Sequence, residues 1–302
     1  DGRPLSEPGA AGGGASLSPD GTTVAYSLSR SGMGAGQGWS NNGGGLWLTH
    51  LDTEPKQTEL LATNAERPTW SRDGQRLAYS KLRPEMVDPL IHYPASALTI
   101  RQLNGAEREL SPWDATQMLV PSDWAPDNQS ILVSVMDPRL GVRLALWPVS
   151  RSRRELRTVL AIPDTTLWNA TYSPNGRWLA LVAVNAQGGT VGVTSADGPP
   201  SRPWRRVMSE NTWVDKPHWA SDGKRLYFIS KRGFFVNLWS VQFDPEQGVP
   251  VGTPTQVTHF ESPDFMISPR VDFMDIAVSA ARIVTTMRTA TGNIWMLDNV
   301  DR

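Results

Sequence analysis

The stretch "PHWASDGKRLYFIS" (217–230) sets Asp222 and Gly223 between two short apolar runs. An Asp-Gly pair accepts the positive φ of a tight two-residue turn without strain, so this phrase reads as a β-hairpin. Nearly the same phrase recurs as "SLSPDGTTVAYS" (16–27), "TWSRDGQRLAYS" (69–80), "DWAPDNQSILVS" (123–134) and "TYSPNGRWLALV" (171–182). A worn sixth copy, "DIAVSAARIVTT" (275–286), keeps the apolar pattern and loses the turn residues. The turn markers Asp20, Asp73, Asp127, Asn175, Asp222 and, in the worn copy, Ser279 are separated by 53, 54, 48, 47 and 57 residues.

A period of about 50 residues built from short strands suits a propeller blade, whose four antiparallel strands cannot bury both faces unless neighbouring blades stack on them. Each phrase supplies strands a and b. A third run follows, as in "LWLTHLD" (46–52), "LALWPVS" (144–150) and "NLWSVQFD" (237–244), and an outer strand is readable near Leu60, Leu110, Val159, Val207 and Val257. The predicted fold is all-β: one six-bladed β-propeller of four-stranded antiparallel blades over residues 1–302. The blades are expected at 14–63, 67–111, 121–160, 169–208, 216–258 and 270–302, the last closed by the N-terminal segment 3–6. That closure would remove the sheet edge an open array exposes.

Composition narrows the function classes. Across 302 residues, 29 Lys plus Arg nearly balance 30 Asp plus Glu, so no general attraction to nucleic acid is expected. The absence of cysteine removes disulfides, thiolate metal sites and a cysteine nucleophile. No apolar run approaches the roughly 20 residues a membrane helix needs, so direct membrane insertion by this chain is not expected. No leader precedes Asp1, and any export signal is expected to have been removed or to lie outside this sequence.

The W-S-P-D-G-x-x-L-A-Y-S phrase on this period, with its "LW" third strand ending in Asp, resembles the repeat of TolB-type six-bladed propellers, a bacterial WD-like repeat family. The resemblance covers essentially the whole chain. The tract "NLWSVQFDPEQGVPVGTPTQVTHF" (237–260) further resembles propellers joined to winged-helix regulators and Ser/Thr kinases. The resemblance implies a non-catalytic protein-binding or scaffold module in the periplasm or otherwise outside the cytoplasm. Its implied setting is an accessory subunit of an envelope or membrane complex, with a protein or peptide partner at the channel mouth. A sensory C-terminal propeller of a longer kinase or regulator is the alternative setting.

Chemical motifs are sparse. There is no Gly-x-Ser-x-Gly elbow, and "GMGAGQG" (32–38) precedes no helix whose N-terminus could hold a phosphate. His50, His92, His218 and His259 form no metal-binding spacing. No cofactor is expected on these grounds. One position stands out: the residue before the strand-a aromatic is Ser16, Thr69, Asp123, Thr171, His218 and Asp275, polar in every copy. Strand periodicity puts these six on one face, where they would ring the central channel. The ring could hydrogen-bond channel water or touch a partner. Alternatively Asp123, His218 and Asp275 could converge on a divalent cation, as a channel-centred metal-dependent hydrolase or lactonase would require.

Most of the 13 tryptophans occupy repeat positions and read as wedges between blades. Trp39, Trp113, Trp168 and Trp213 instead fall in b–c loops or d–a connections, which a meander places on one face. Phe234 and Phe235 of "KRGFFVN" (231–237) and the long insertions 29–45 and 81–97 share that face. Trp39, Trp113, Trp168, Trp213, Phe234 and Phe235 are therefore the expected partner-binding anchors.

Overall fold

The computed structural model describes residues 10–30, 45–87, 94–113, 117–137, 141–150, 156–210, 213–262, 264–268 and 275–289. Five four-stranded antiparallel meanders follow one another. The first holds β1 (Ala10–Leu17), β2 (Thr23–Arg30), β3 (Gly45–His50) and β4 (Gln57–Thr63). The second holds β5 (Ala65–Trp70), β6 (Arg76–Val87), β7 (Pro94–Gln102) and β8 (Glu107–Glu109). The third holds β9 (Met118–Trp124), β10 (Ser130–Asp137), β11 (Gly141–Pro148) and β12 (Arg157–Leu160). In the fourth are β13 (Thr166–Tyr172), β14 (Trp178–Asn185), β15 (Gly188–Ser195) and β16 (Trp204–Glu210); in the fifth, β17 (Val214–Trp219), β18 (Arg225–Ser230), β19 (Asn237–Asp244) and β20 (Val249–Gln256).

The sixth unit departs from the expectation. Its described residues form two separate pairs, β21 (Phe265–Ile267) with β24 (Met287–Thr289) and β22 (Ile276–Val278) with β23 (Ile283–Thr285). Among the described residues the propeller therefore shows five four-stranded blades and not six, and no strand there closes the ring from the N-terminus; the expected closing segment Arg3, Pro4, Leu5 and Ser6 lies outside the described residues. The physical reason lies in the turn. Where intact copies fold Asp onto the next backbone N–H groups, the worn copy has only Ser279, whose backbone N–H donates to Arg282 O at 2.9 Å and whose Oγ accepts from Arg282 N at 3.1 Å, closing a short hairpin over Ala280 and Ala281. The unit still meets the first blade: Arg282 donates to Gly21 O at 2.8 Å and pairs with Asp52 at 2.5 Å.

The repeated turn has one geometry. In the first blade Gly21 N donates to Ser18 O at 2.8 Å, Thr22 N to Asp20 Oδ1 at 3.0 Å, and Thr23 N to Ser18 Oγ at 3.0 Å. Residues Gly21, Gly74, Asn128, Gly176 and Gly223 all take φ between 57° and 73°, the left-handed region that Gly and Asn tolerate best.

Hydrophobic burial lies between blades. Strand β10 shows why: Ile131, Val133 and Val135 pack with Ala78, Leu98 and Ile100 of the second blade, while the alternate Leu132 packs with Leu167 and Leu179 of the fourth. Both faces of the strand are thus apolar, which explains its continuous run "ILV". Trp70, Trp124 and Trp219 fill corresponding wedges, and Trp124 is fully buried. Each indole N–H donates to the preceding blade: Trp70 to Ser16 O at 3.1 Å, Trp124 to Thr69 O at 3.0 Å, and Trp219 to Thr171 O at 3.2 Å.

Candidate functional site

Strand a of each of the five four-stranded blades carries a bulge midway, between Gly13 and Ala15, Glu66 and Thr69, Trp168 and Thr171, and Asp215 and His218, with the break opposite Leu132 and Val133 in the third blade. The bulged residues Gly14, Arg67, Asn169 and Lys216 take φ of 69°, 55°, 47° and 54°. Three of these are not glycine, and a side chain in that region costs about 1–2 kcal/mol. Pro121 stands at the corresponding place in the third blade, where its ring forbids positive φ. A bulge re-aims the side chains beside it, and here they turn into the channel.

Those side chains line a cavity of about 450 Å³ that runs from the bulges to the a–b turns. Ser16, Thr69, Asp123, Thr171, His218 and Asp275 all line it, together with Arg67, Arg72, Asn169, Lys216 and Arg282. The six ring positions are thus brought together, but five of them are engaged in joining blades. Ser16 Oγ accepts from Trp70 N at 3.2 Å, Asp123 Oδ2 from Tyr172 N at 2.7 Å, and Asp275 Oδ2 from Ala15 N at 2.9 Å. Thr171 Oγ1 donates to Pro217 O at 3.2 Å, and Thr69 O takes the Trp124 indole. His218 differs: its Nδ1 makes a 3.5 Å contact with Lys216 O in its own strand.

Asp123 also accepts from Arg72 Nη2 at 2.9 Å, and the same nitrogen donates to Tyr172 O at 3.1 Å. Arg72, from the turn of the second blade, thus ties the third to the fourth. These bonds engage Asp123 and Asp275, two of the three groups expected as alternative ligands of a cation with His218. Both carboxylates are turned onto backbone donors of neighbouring blades, and no group of three or more His, Asp or Glu among the described residues is placed to hold a metal ion.

Sequence reading missed Asp215, Lys216 and Asn169. Asp215 and Lys216 are 4% and 5% exposed. Asp215 Oδ1 accepts from Asn169 Nδ2 at 2.6 Å and from Lys216 N at 2.7 Å, and Lys216 Nζ donates to Asn169 Oδ1 at 3.3 Å. Burial pushes the Asp215 carboxyl up from its ordinary range and pushes the His218 imidazole down, the latter opposed by the nearby charge of Asp275. The one available signal was "VDKPH" (214–218), two charges inside an otherwise apolar strand.

The loop-face residues separate. Trp168 packs against Met118 and Val120 of the third blade, and Trp213 against Ile229, Val236 and Leu238 of its own, so both are partly covered. Arg83 stacks 4.0 Å above Trp113, whose indole donates to Glu109 at 3.0 Å. Insertion 81–97 is not a loop throughout, because β6 runs to Val87 and β7 starts at Pro94. Phe234 is 90% exposed and Phe235 partly so, in the connection between β18 and β19. Trp39 and the segment 31–44 lie outside the described residues.

No family model matches this chain, and no curated protein matches it. Solved structures do. TolB from Acinetobacter baumannii superposes with a TM-score of 0.58 at 12% identity over 76% of this chain and 51% of that one, so the chain spans about half of that structure. A putative TolB from Agrobacterium tumefaciens gives 0.58 at 16% identity, covering 80% of this chain and 79% of that one. An oligogalacturonate lyase in complex with manganese gives 0.52 at 15% identity over 79% and 63%. The Pseudomonas aeruginosa periplasmic gluconolactonase gives 0.51 at 16% identity over 85% and 75%. At these identities the likeness concerns architecture alone. The chain has the TolB-type β-propeller fold, which it shares with the TolB structures and, more distantly, with the lyase and the lactonase.

Proposed function

We propose that this chain is a non-catalytic protein-binding scaffold, acting outside the cytoplasm as an accessory subunit of an envelope or membrane complex. Its partner is a protein or peptide docked on the loop face of the fifth blade. Phe234 carries this reading: a ring 90% exposed on a short connection held by two paired strands is an anchor without an intramolecular role. Phe265, 52% exposed and edge-on to Phe260 at 5.7 Å, lies at the loop-face end of the same sector. Asn237, which opens β19, accepts from Phe260 N at 2.8 Å and joins the two segments. With a net charge of −1, no nucleic-acid partner belongs to this reading. The extracytoplasmic setting is supported by the TolB-type repeat and by a fold neighbour described as periplasmic.

The test is cross-linking and affinity capture from the native organism with the wild type and a Phe234→Ser, Phe265→Ser variant. Loss of a captured partner at unchanged melting temperature supports the reading. Equal capture by both proteins overturns the assignment of this surface.

A second reading, an enzyme centred on the channel, is favoured by one observation: His218, whose pKa burial lowers, lines the cavity, and Asp215, whose pKa burial raises, is hydrogen-bonded to the lining residue Asn169. It predicts turnover of a lactone or ester that is lost in the His218→Gln variant.

A further inference from the structure

The charged groups around the channel are unequally matched. Asp20 accepts from Ser18 Oγ at 2.5 Å and from Thr22 N and Oγ1 at 3.0 and 2.9 Å. Asp123 accepts from Arg72, Tyr172 N and Trp124 N, and Asp275 from Ala15 N and Ile276 N. The acidic groups on the wall are therefore saturated with donors. Among the cations, Arg72 is engaged with Asp123, Arg282 with Asp52, and Arg67 with Glu66 at 3.4 Å.

Lys216 is the exception. Its side chain is 5% exposed and lines the cavity, yet its ammonium makes one hydrogen bond, at 3.3 Å, to the neutral Asn169 amide. Among the described residues no carboxylate stands within ion-pair distance of Nζ; neighbouring Asp215 directs Oδ1 to the Lys216 backbone and to Asn169. The nearest counter-charge is the adjacent buried Asp215, which interacts electrostatically with Lys216 while no direct ion pair forms, and the ammonium is held by a backbone at φ 54°. Strain and an ammonium with no direct ion pair at the wall of a cavity together point to a ligand.

We propose that the channel binds a carboxylate, seated on the Lys216 ammonium and flanked by Asn169, His218 and the Thr171 hydroxyl. One cation unmatched by a carboxylate beside a neutral amide suits a monoanion, whereas a phosphate dianion would face Asp123 and Asp275 across the channel with no second such cation. A cavity of about 450 Å³ falls in the range of small-ligand sites, roughly 300–1,000 Å³. It reaches the a–b turn face through Pro19, Pro174 and Ser221, so the ligand enters opposite the surface bearing Phe234. This site therefore stands or falls independently of the protein-docking surface.

The carboxylate can belong to a free small acid or to the C-terminus of a peptide. Calorimetric titration of the whole chain with sodium lactate, with N-acetyl-Ala-Ala and with N-acetyl-Ala-Ala-amide separates the sources. Saturable binding of lactate alone identifies a small acid; binding of the free-acid dipeptide with at least tenfold weaker binding of its amide identifies a peptide terminus. In either case Lys216→Met should weaken binding at least tenfold. Should Lys216→Met fail to fold, wild-type protein with ¹³C-methylated lysines supplies the readout, through a saturable shift of the Lys216 resonance. No saturable binding of either carboxylate, equal binding of acid and amide, or equal binding by Lys216→Met overturns the proposal.

Discussion

Arg72 donates its backbone N–H to Asn128 Oδ1 at 2.8 Å, joining the turns of the second and third blades. At three other junctions a proline lies over a glycine: a Cβ added to Gly74 or Gly223 would stand 3.6 or 3.5 Å from Pro19 or Pro174, and one on Gly176 only 2.7 Å from Pro126. Where the repeat replaces proline by arginine it gains an N–H, and where it replaces glycine by asparagine it gains the acceptor for that N–H. The two departures from the repeat compensate each other across 56 residues of chain.

Asn128 should therefore separate conformation from bonding. Asn128→Gly keeps the left-handed turn and loses the acceptor, at about 1 kcal/mol. Asn128→Ala loses both and should cost about 1–2 kcal/mol more. Urea unfolding of the two variants checks the order; equal midpoints would deny the backbone strain.

Removing Asp123 should loosen the third and fourth blades. Asp123→Ala strands the Arg72 guanidinium and Tyr172 N–H, each without its carboxylate, for a loss of about 2–4 kcal/mol. Asp123→Asn retains an acceptor and should recover part of it. The measurement is the denaturation midpoint, and an unchanged midpoint in Asp123→Ala would mean that these bonds contribute nothing net.

The sixth unit should depend on Arg282. Its guanidinium is about 40% exposed, so Arg282→Ala is expected to cost no more than about 1 kcal/mol globally. Local opening is a sharper readout, with faster amide exchange at Ile276–Val278 and Ile283–Thr285 while β9 to β16 stay protected.

His218 should carry a pH signature. Burial lowers its native pKa below the ordinary value of 6.5, so the folded state favours the neutral ring although Asp275 and Asp123 oppose this. The unfolded chain then binds the extra proton, and the stabilising contribution of the neutral ring is intact above about pH 6.5 and is lost as pH falls below it. Asp215, shifted up, acts with the opposite sign, its contribution being lost as pH rises above the ordinary carboxylate range. Comparing wild type with His218→Gln at pH 7.5 and 5.5 isolates the histidine: the wild type should lose more stability on acidification, and parallel losses would refute the assignment.

The tandem architecture, the turn geometry and the interblade tryptophans were legible in the sequence because each is written within about 12 consecutive residues and repeated. The polar ring was legible too, since strand alternation alone aligns Ser16, Thr69, Asp123, Thr171, His218 and Asp275 on one wall. Only the tertiary structure decided how those groups are used. The interblade partners of Asp123 and Asp275 lie 49 to 51 and 260 residues away, and such bonds make both carboxylates joints between blades. The bulges that turn Asn169 and Lys216 into the channel arise from register between strands, which local periodicity does not encode. Likewise, Trp168 and Trp213 read as exposed anchors by topology, but neighbouring side chains partly cover them, whereas Phe234 stays 90% exposed. Local spacing determines which face a residue occupies, and only packing determines whether its charge or ring is left for a ligand.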